Sequence, residues 1–201
     1  MTLVARGTPE NPAERTSDQE IQRQIKIFNS ECGLREVLDA MPNMVAILNR
    51  TRQIVLANTQ LVNTLSDGEQ VTALGLRPGE IANCPSARES AHGCGTGLSC
   101  QACGALKAIL TAQSGQATTE ECTLRPPDQL GTLDMEIKAT PLEIQGEPFT
   151  IFAIKNVAQK KMARILERTF FHDILNSAGG LQGLATLVDD AEDLAEVQEY
   201  A

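Results

Sequence analysis

Aromatic residues are scarce in this chain, which has five Phe, one Tyr and no Trp among its 201 residues. Flavin and haem are usually enclosed by aromatic and large apolar side chains, so the scarcity argues against a pocket for either cofactor. The pair Cys100 and Cys103 is followed by Gly104 and not by His, which also gives no support to covalent haem attachment.

Long hydrophobic runs are also absent. Without a run of about eighteen apolar residues, the sequence predicts no membrane span. The N-terminus lacks the apolar core of a signal peptide, so we expect a cytoplasmic protein. Clustered cysteines in that compartment are more often metal ligands than disulfides. The formal net charge of −9 disfavours nonspecific binding to nucleic acid or to an anionic membrane.

Cysteine, by contrast, is concentrated in one short window, residues 83–104. Glycine near these cysteines lets the backbone turn so that several thiolates can reach one ion. Nine, five and two residues separate successive cysteines, which matches no standard ferredoxin or zinc-finger pattern. The window therefore predicts a metal centre and leaves an iron–sulfur cluster and Zn²⁺ as open alternatives. The predicted ligands are Cys84, Cys94, Cys100 and Cys103.

Other interpretations of the cysteines stay open. They could be free buried thiols, or Cys100 and Cys103 could close a disulfide in a thiol redox switch. Cys32 and Cys122 are expected to be small core residues, with Cys122 a reserve ligand if its strand borders the window. His92 is expected to be a loop residue, although it could replace one cysteine as a ligand.

Helical periodicity begins after a polar start. Residues 1–16 contain two prolines and are expected to be disordered. An N-terminal helix is predicted over residues 17–33, with a continuation that ends before Pro42. Gly33 interrupts the apolar pattern, so two helices or one bent helix would fit.

Short apolar runs separated by polar turns follow, and they predict an antiparallel sheet. Two of the runs surround a four-residue turn and are typical of a β-hairpin. The order of the elements predicts an α+β fold, in which a five-stranded antiparallel sheet carries helices on one face. The predicted strands are 44–48, 53–57, 117–124, 133–142 and 149–154, and the predicted helices between them are 59–65 and 105–112.

The order of elements over residues 34–157 resembles a PAS sensory domain. The resemblance implies that the cysteine-rich loop, residues 83–104, belongs to a sensor. The segments that carry the resemblance are 38–48, 54–58, 139–142 and 149–157.

Residues 170–176, Phe-Phe-His-Asp-Ile-Leu-Asn, resemble the phosphoacceptor box of sensor histidine kinases. The resemblance implies that His172 points outward from a helix and attacks the γ-phosphate of ATP. Asp173 would hydrogen-bond the ring and raise its nucleophilicity. Asn176, one helical turn on, would orient a water molecule for dephosphorylation.

The same resemblance implies that residues 158–201 are a dimerisation helix of which only part is present. Gly179 and Gly180 are expected to loosen this helix, because Gly is a poor helix former. Two copies of the chain would pack into a four-helix bundle.

Together these patterns predict the sensor region of a two-component histidine kinase that senses redox state or a gas and controls phosphorylation of His172. Expected partners are a second copy, an ATP-binding kinase domain and a response regulator. Because no nucleotide-binding motif precedes Ala201, we expect the chain alone not to make phosphohistidine. The alternative is a non-enzymatic PAS dimerisation module with a structural zinc site.

Overall fold

The computed structural model of the chain describes residues 13–30, 33–65, 73–125 and 132–199. The polypeptide divides into two compact units, Met1–Val157 and Ala158–Ala201. None of the described helices is both long and apolar enough to cross a bilayer.

Among its described residues, the N-terminal unit contains five antiparallel strands in the order β2-β1-β5-β4-β3. This arrangement confirms the predicted five-stranded antiparallel sheet and its PAS-like order of elements. The predicted hairpin is the pair β1 and β2, and β3 lies at the opposite edge of the sheet. The strands are β1 Met44–Leu48, β2 Ile54–Ala57, β3 Thr118–Leu124, β4 Leu133–Ile144 and β5 Glu147–Asn156.

Among the described residues, six helices belong to the same unit, and two of them were not predicted. Both lie between the predicted helices 59–65 and 105–112, in a stretch whose Gly and Pro residues favour loops. Pro78 and Pro85 instead stand in the first turn of short helices. A backbone N–H in the first turn has no partner within the helix, so the missing N–H of Pro loses no hydrogen bond there. The helices are α1 Asp18–Ser30, α2 Leu34–Asp39, α3 Thr59–Leu65, α4 Pro78–Ile81, α5 Pro85–Glu89 and α6 Gly104–Gln113, with a 3₁₀ turn at Leu98–Ala102.

The sheet is covered on both faces. On one face, α3, α4 and α6 pack on alternate strand residues, including Leu48, Ile137 and Phe152. On the other face, α1 and α2 cover the remaining residues, and Phe28 meets Phe149 edge to face at 4.8 Å between ring centroids. The helices α3, α4 and α6 therefore lie on one face, as predicted for the helices between the strands, while α1 and α2 close the opposite face. Gly33, with a φ of +79°, separates α1 from α2, which settles the alternative in favour of two helices.

Residues 13–16 are ordered, in contrast to the predicted disorder. The Thr16 N–H donates to Gln53 Oε1 at 2.8 Å. The Arg77 guanidinium donates to the carbonyl oxygens of Ala13 and Glu14 at 3.2 and 3.1 Å. Composition predicts disorder here because the binding partners lie far along the chain and leave no local signal. Residues 1–12 and Cys32 lie outside the described residues.

The C-terminal unit is one helix, α7, Ala158–Glu199. It continues through Gly179 and Gly180, where a loosening was predicted, and a Cβ at either position would meet no atom within 4 Å. Large exposed apolar side chains recur along its described part, as three adjacent pairs and two single residues. They are Met162, Ile165, Leu166, Phe170, Phe171, Ile174, Leu175 and Leu181.

Candidate functional site

A cavity of about 270 Å³ lies between the sheet and the cysteine-rich loop of the N-terminal unit. Its apolar wall includes Phe152 and Ile154 of β5 and Ile109 of α6. The four cysteines of the window reach it from different places: the residue before α5, the following loop, the 3₁₀ turn and the residue before α6. A fifth cysteine comes from β3. The cysteines that line the cavity are Cys84, Cys94, Cys100, Cys103 and Cys122.

Gly79 brings Cys84 and Cys94 together. A Cβ at Gly79 would lie 2.7 Å from the Cys94 sulfur and 3.3 Å from the Cys84 Cβ, so a side chain there would force the two cysteines apart. The Gly79 N–H donates to the Cys94 sulfur at 3.3 Å. Its carbonyl oxygen accepts from the Cys84 N–H at 2.8 Å. The backbone of α4 thus positions two of the predicted ligands.

Burial keeps Cys94 protonated at neutral pH. Burial raises the pKa of the Cys94 thiol to about 12, although the Gly79 N–H favours the thiolate. Negative charge on the neighbouring cysteines would raise this pKa further, because like charges repel. A bound cation is the kind of partner that would shift this thiol toward thiolate.

Cys103 and Cys122 form a hydrogen-bonded pair across α6 and β3. The hydrogen bond from the Cys122 thiol lowers the pKa of Cys103, burial opposes this change, and the N–H groups of Leu106 and Ala105 lower the pKa further. The same hydrogen bond and burial raise the pKa of Cys122. Cys103 is therefore the member of the pair that carries thiolate character.

Two buried arginines hold the loop that carries Cys94. Arg52 and Arg77 are 1% and 0% exposed. Both donate to the Cys94 carbonyl oxygen, Arg52 at 3.4 Å and Arg77 at 3.2 Å. Arg77 also donates to the His92 carbonyl oxygen at 3.0 Å. Gly95, with a φ of +84°, passes so close that its Cβ would lie 3.1 Å from Arg52 Nε.

Two arginine cations lie close to the Cys94 backbone. Burial lowers the pKa of Arg77 to about 10, with a further decrease from the Arg52 and Arg15 cations. Negative charge on Glu80 and Cys94 acts in the opposite direction. Arg77 therefore stays charged at neutral pH.

Glu80 is the carboxylate of this network. Its Oε1 accepts from the Cys94 N–H at 3.2 Å, and its Oε2 accepts from the Arg77 N–H at 2.9 Å. Arg15 forms an ion pair with the same carboxylate. The side chain thus links the start of the chain to the cysteine loop.

The arrangement of the thiols is not yet that of a closed metal centre. Among the described residues, no three Cys, His, Asp or Glu side chains are grouped so as to hold one ion. The donor atoms suit a metal, because thiolates are typical ligands of zinc and of iron–sulfur clusters. The His92 side chain is exposed and does not line the cavity.

The phosphoacceptor-like residues lie on α7 and are exposed. His172 Nδ1 is 3.4 Å from Asp173 Oδ1, and both side chains are 71% exposed. Asn176 Nδ2 is 3.1 Å from His172 Nδ1 and 3.3 Å from its Nε2. The structure therefore places all three side chains within contact distance on one stretch of helix surface.

Gly104 is the point at which α6 and β3 touch. A Cβ at Gly104 would overlap the Glu121 carbonyl oxygen, which belongs to the strand backbone and cannot move away alone. We expect Gly104→Ala to lower the free energy of unfolding by about 3 kcal/mol through overpacking. Urea denaturation followed by circular dichroism measures this change.

Gly115→Ala is the matched control for this prediction. A Cβ there would meet no atom within 4 Å, so the substitution carries only the cost of its φ of +96°, about 1 kcal/mol. Equal losses for the two variants would contradict the close approach at Gly104.

The comparisons with known proteins concern the fold. No protein-family model matches the chain, and no curated protein matches it by sequence. Among solved structures, the PAS domain of an HTR-like protein from Haloarcula marismortui is 14% identical, with 64% of this chain and 97% of that chain covered and a TM-score of 0.42. The PAS domain of nitrogen regulation protein NR(II) from Vibrio parahaemolyticus is 16% identical, with 61% and 95% covered and a TM-score of 0.41.

A third solved structure is the PAS domain of BvgS from Bordetella pertussis. It is 12% identical, with 68% of this chain and 93% of that chain covered and a TM-score of 0.40. The PAS-like assignment of this chain depends on its own strand order.

Proposed function

We propose that this chain is the cytoplasmic sensor region of a two-component histidine kinase, and that the cysteine cavity is its sensing site. The observation that carries the proposal is the meeting of five cysteines and the buried Arg52 at one cavity of a PAS-like domain, with the buried Arg77 bound to the Cys94 carbonyl oxygen behind it. A cavity built only for packing has no need of buried cations, which are costly to desolvate.

A metal held by thiolates accounts for both the clustered cysteines and the buried arginines. Cys84, Cys94, Cys100 and Cys103 are the proposed ligands of an iron–sulfur cluster or of Zn²⁺. Four thiolates give either centre a net negative charge, which Arg52 and Arg77 would partly neutralise. An iron–sulfur cluster would supply a redox-sensitive or gas-sensitive group, whereas zinc would staple the loop.

Metal binding would reshape the loop, because the thiols have to turn toward a common point. The cavity wall that faces them includes Phe152 and Ile154 of β5, the strand that ends at Asn156. The helix α7 begins only two residues later, at Ala158. A shift in the loop therefore has a short covalent route to the helix that carries His172. A sensed molecule can shift the equilibrium between two conformations of the loop only if it binds one conformation more tightly than the other.

A second copy of the chain is the proposed partner of α7. The apolar side chains of its described part are exposed, as Leu166 at 62% and Leu175 at 70% illustrate. A paired helix would remove them from water. Size-exclusion chromatography with light scattering measures the expected dimer. The kinase domain and the response regulator are further proposed partners.

Metal analysis of anaerobically purified protein tests the sensing site. We expect a metal that binds stoichiometrically and is lost in a variant with Cys84 and Cys94 replaced by Ser. A cluster gives a brown sample with thiolate-to-iron absorption near about 400 nm. A colourless sample with one zinc would favour the alternative, a dimerisation module with a structural zinc site. A sample that binds neither metal would contradict a thiolate metal centre.

A further inference from the structure

Cys103 and Cys122 are held together by the backbone on both sides. Next to Cys103, Gly104 touches the carbonyl oxygen of Glu121, the residue before Cys122. One turn further along α6, Lys107 Nζ forms an ion pair with Glu120 Oε1 at 2.8 Å. Gly104 and Lys107 of the helix thus contact Glu121 and Glu120 of the strand. These contacts hold the backbone of Cys103 close to that of Cys122.

The two thiols are also placed for chemistry. Both side chains are half-buried and line the same cavity, so a small molecule that enters can reach them. The Cys103 sulfur belongs to the residue directly before α6. Cys122 is the thiol in hydrogen-bond contact with that sulfur, whereas Cys100 is buried in the neighbouring 3₁₀ turn.

We propose that Cys103 and Cys122 form a reversible disulfide when a hydroperoxide enters the cavity. This pairing differs from the Cys100–Cys103 bridge that the Cys-x-x-Cys spacing alone favours.

The reaction takes two steps. In the first step, the Cys103 thiolate attacks one peroxide oxygen, the O–O bond breaks, and the other oxygen leaves as alkoxide or hydroxide and takes up a proton. Cys103 is now a sulfenic acid. In the second step, the Cys122 sulfur attacks the Cys103 sulfur, the S–O bond breaks, and the hydroxide leaves as water with the Cys122 proton. The two thiols together lose two electrons, and the peroxide gains them.

The disulfide would regulate the metal centre. A bridge to Cys122 withdraws Cys103 from the other three proposed ligands and fastens the start of α6 to the edge strand β3. This consequence rests on the proposed function, whereas the disulfide itself requires no metal. Oxidation and metal loss would then be coupled, because one sulfur cannot serve both bonds.

Peptide mapping of the full chain tests the disulfide directly. The protein is reduced, treated with a chelator to remove metal, exposed to hydrogen peroxide under argon, alkylated and digested with trypsin. Cys94, Cys100 and Cys103 then share the peptide 89–107, while Cys122 lies in the peptide 108–138 because trypsin does not cleave between Arg125 and Pro126. We expect the two peptides to be joined, and fragment masses to place the bond between Cys103 and Cys122.

Matched variants complete the test. C122S is expected to leave the two peptides separate, while C100S joins them as the unchanged chain does. An oxidised chain with its bond inside peptide 89–107, or with no bond at all, would overturn the proposal. So would a bond that fragment masses place at Cys94 or Cys100. Metal content measured before chelation decides separately whether the proposed metal centre exists.

Discussion

Replacement of His172 by Ala is expected to reduce phosphate incorporation to the background level. His172 is the only exposed imidazole among the described residues of α7, and Asp173 and Asn176 lie within 3.4 Å of its ring. The side chain is 71% exposed, so a kinase domain could reach it. The measurement is transfer of labelled phosphate from ATP with a supplied histidine-kinase catalytic domain. Label on His172 should survive alkali and be lost in acid, as phosphoramidates are.

Two variants on the same helix sharpen this test. Asp173→Asn keeps the shape of the side chain but removes its charge, and we expect the rate to fall by roughly a hundredfold. Ser177→Ala removes an exposed hydroxyl that donates to the Asp173 carbonyl oxygen at 2.8 Å, and the rate should stay near that of the unchanged chain. Undiminished labelling of His172→Ala would contradict its role as phosphoacceptor.

Arg77→Ala is expected to lower the free energy of unfolding by about 3–5 kcal/mol, as losses of one partner from buried charged networks do. The guanidinium is fully buried, and its removal leaves a void and backbone acceptors without their donor. The cysteine loop should then open, so that Cys94 reacts with iodoacetamide in the folded protein. The acceptors are the carbonyl oxygens of Ala13, Glu14, Thr51, His92 and Cys94.

Arg88→Ala is the control for this prediction. Arg88 is exposed on the neighbouring helix α5 and donates to Asn83 Oδ1 at 3.3 Å, so its loss should change stability by no more than about 0.5 kcal/mol. Urea unfolding of both variants gives the comparison. A loss for Arg77→Ala as small as that for Arg88→Ala would contradict the central position of Arg77.

The sheet could be predicted because its signal is local. The strand β1 is predicted by a short apolar run, and β4 by the alternation of apolar and polar residues. Alternation indicates a strand because successive side chains point to opposite faces of the sheet. The short helices α4 and α5 could not be predicted, because four or five residues are too few to show the 3.6-residue repeat of apolar side chains. Their first-turn prolines look like loop residues when the chain is examined alone.

Only the part of the candidate site that is local in the sequence could be predicted. Four clustered cysteines are conspicuous, whereas Cys122 joins them only because the sheet order brings β3 beside α6. Arg52 and Arg77 leave no local signal at all. An arginine in a turn is normally solvated, and the burial of Arg77 depends on carbonyl groups at residues 13–14 and 92–94, which the chain brings together only on folding.

The attachment of residues 13–16 and α1 bears on where this polypeptide can be cut for expression. A fragment that begins at residue 34, where the PAS-like segment starts, would lose Phe28 and bare the apolar sheet face around Phe149 to solvent. It would also lose two of the carbonyl groups that bind Arg77 and the Arg15 partner of Glu80. Metal binding or thiol reactivity measured on such a fragment would then be that of a loop that has lost its native contacts.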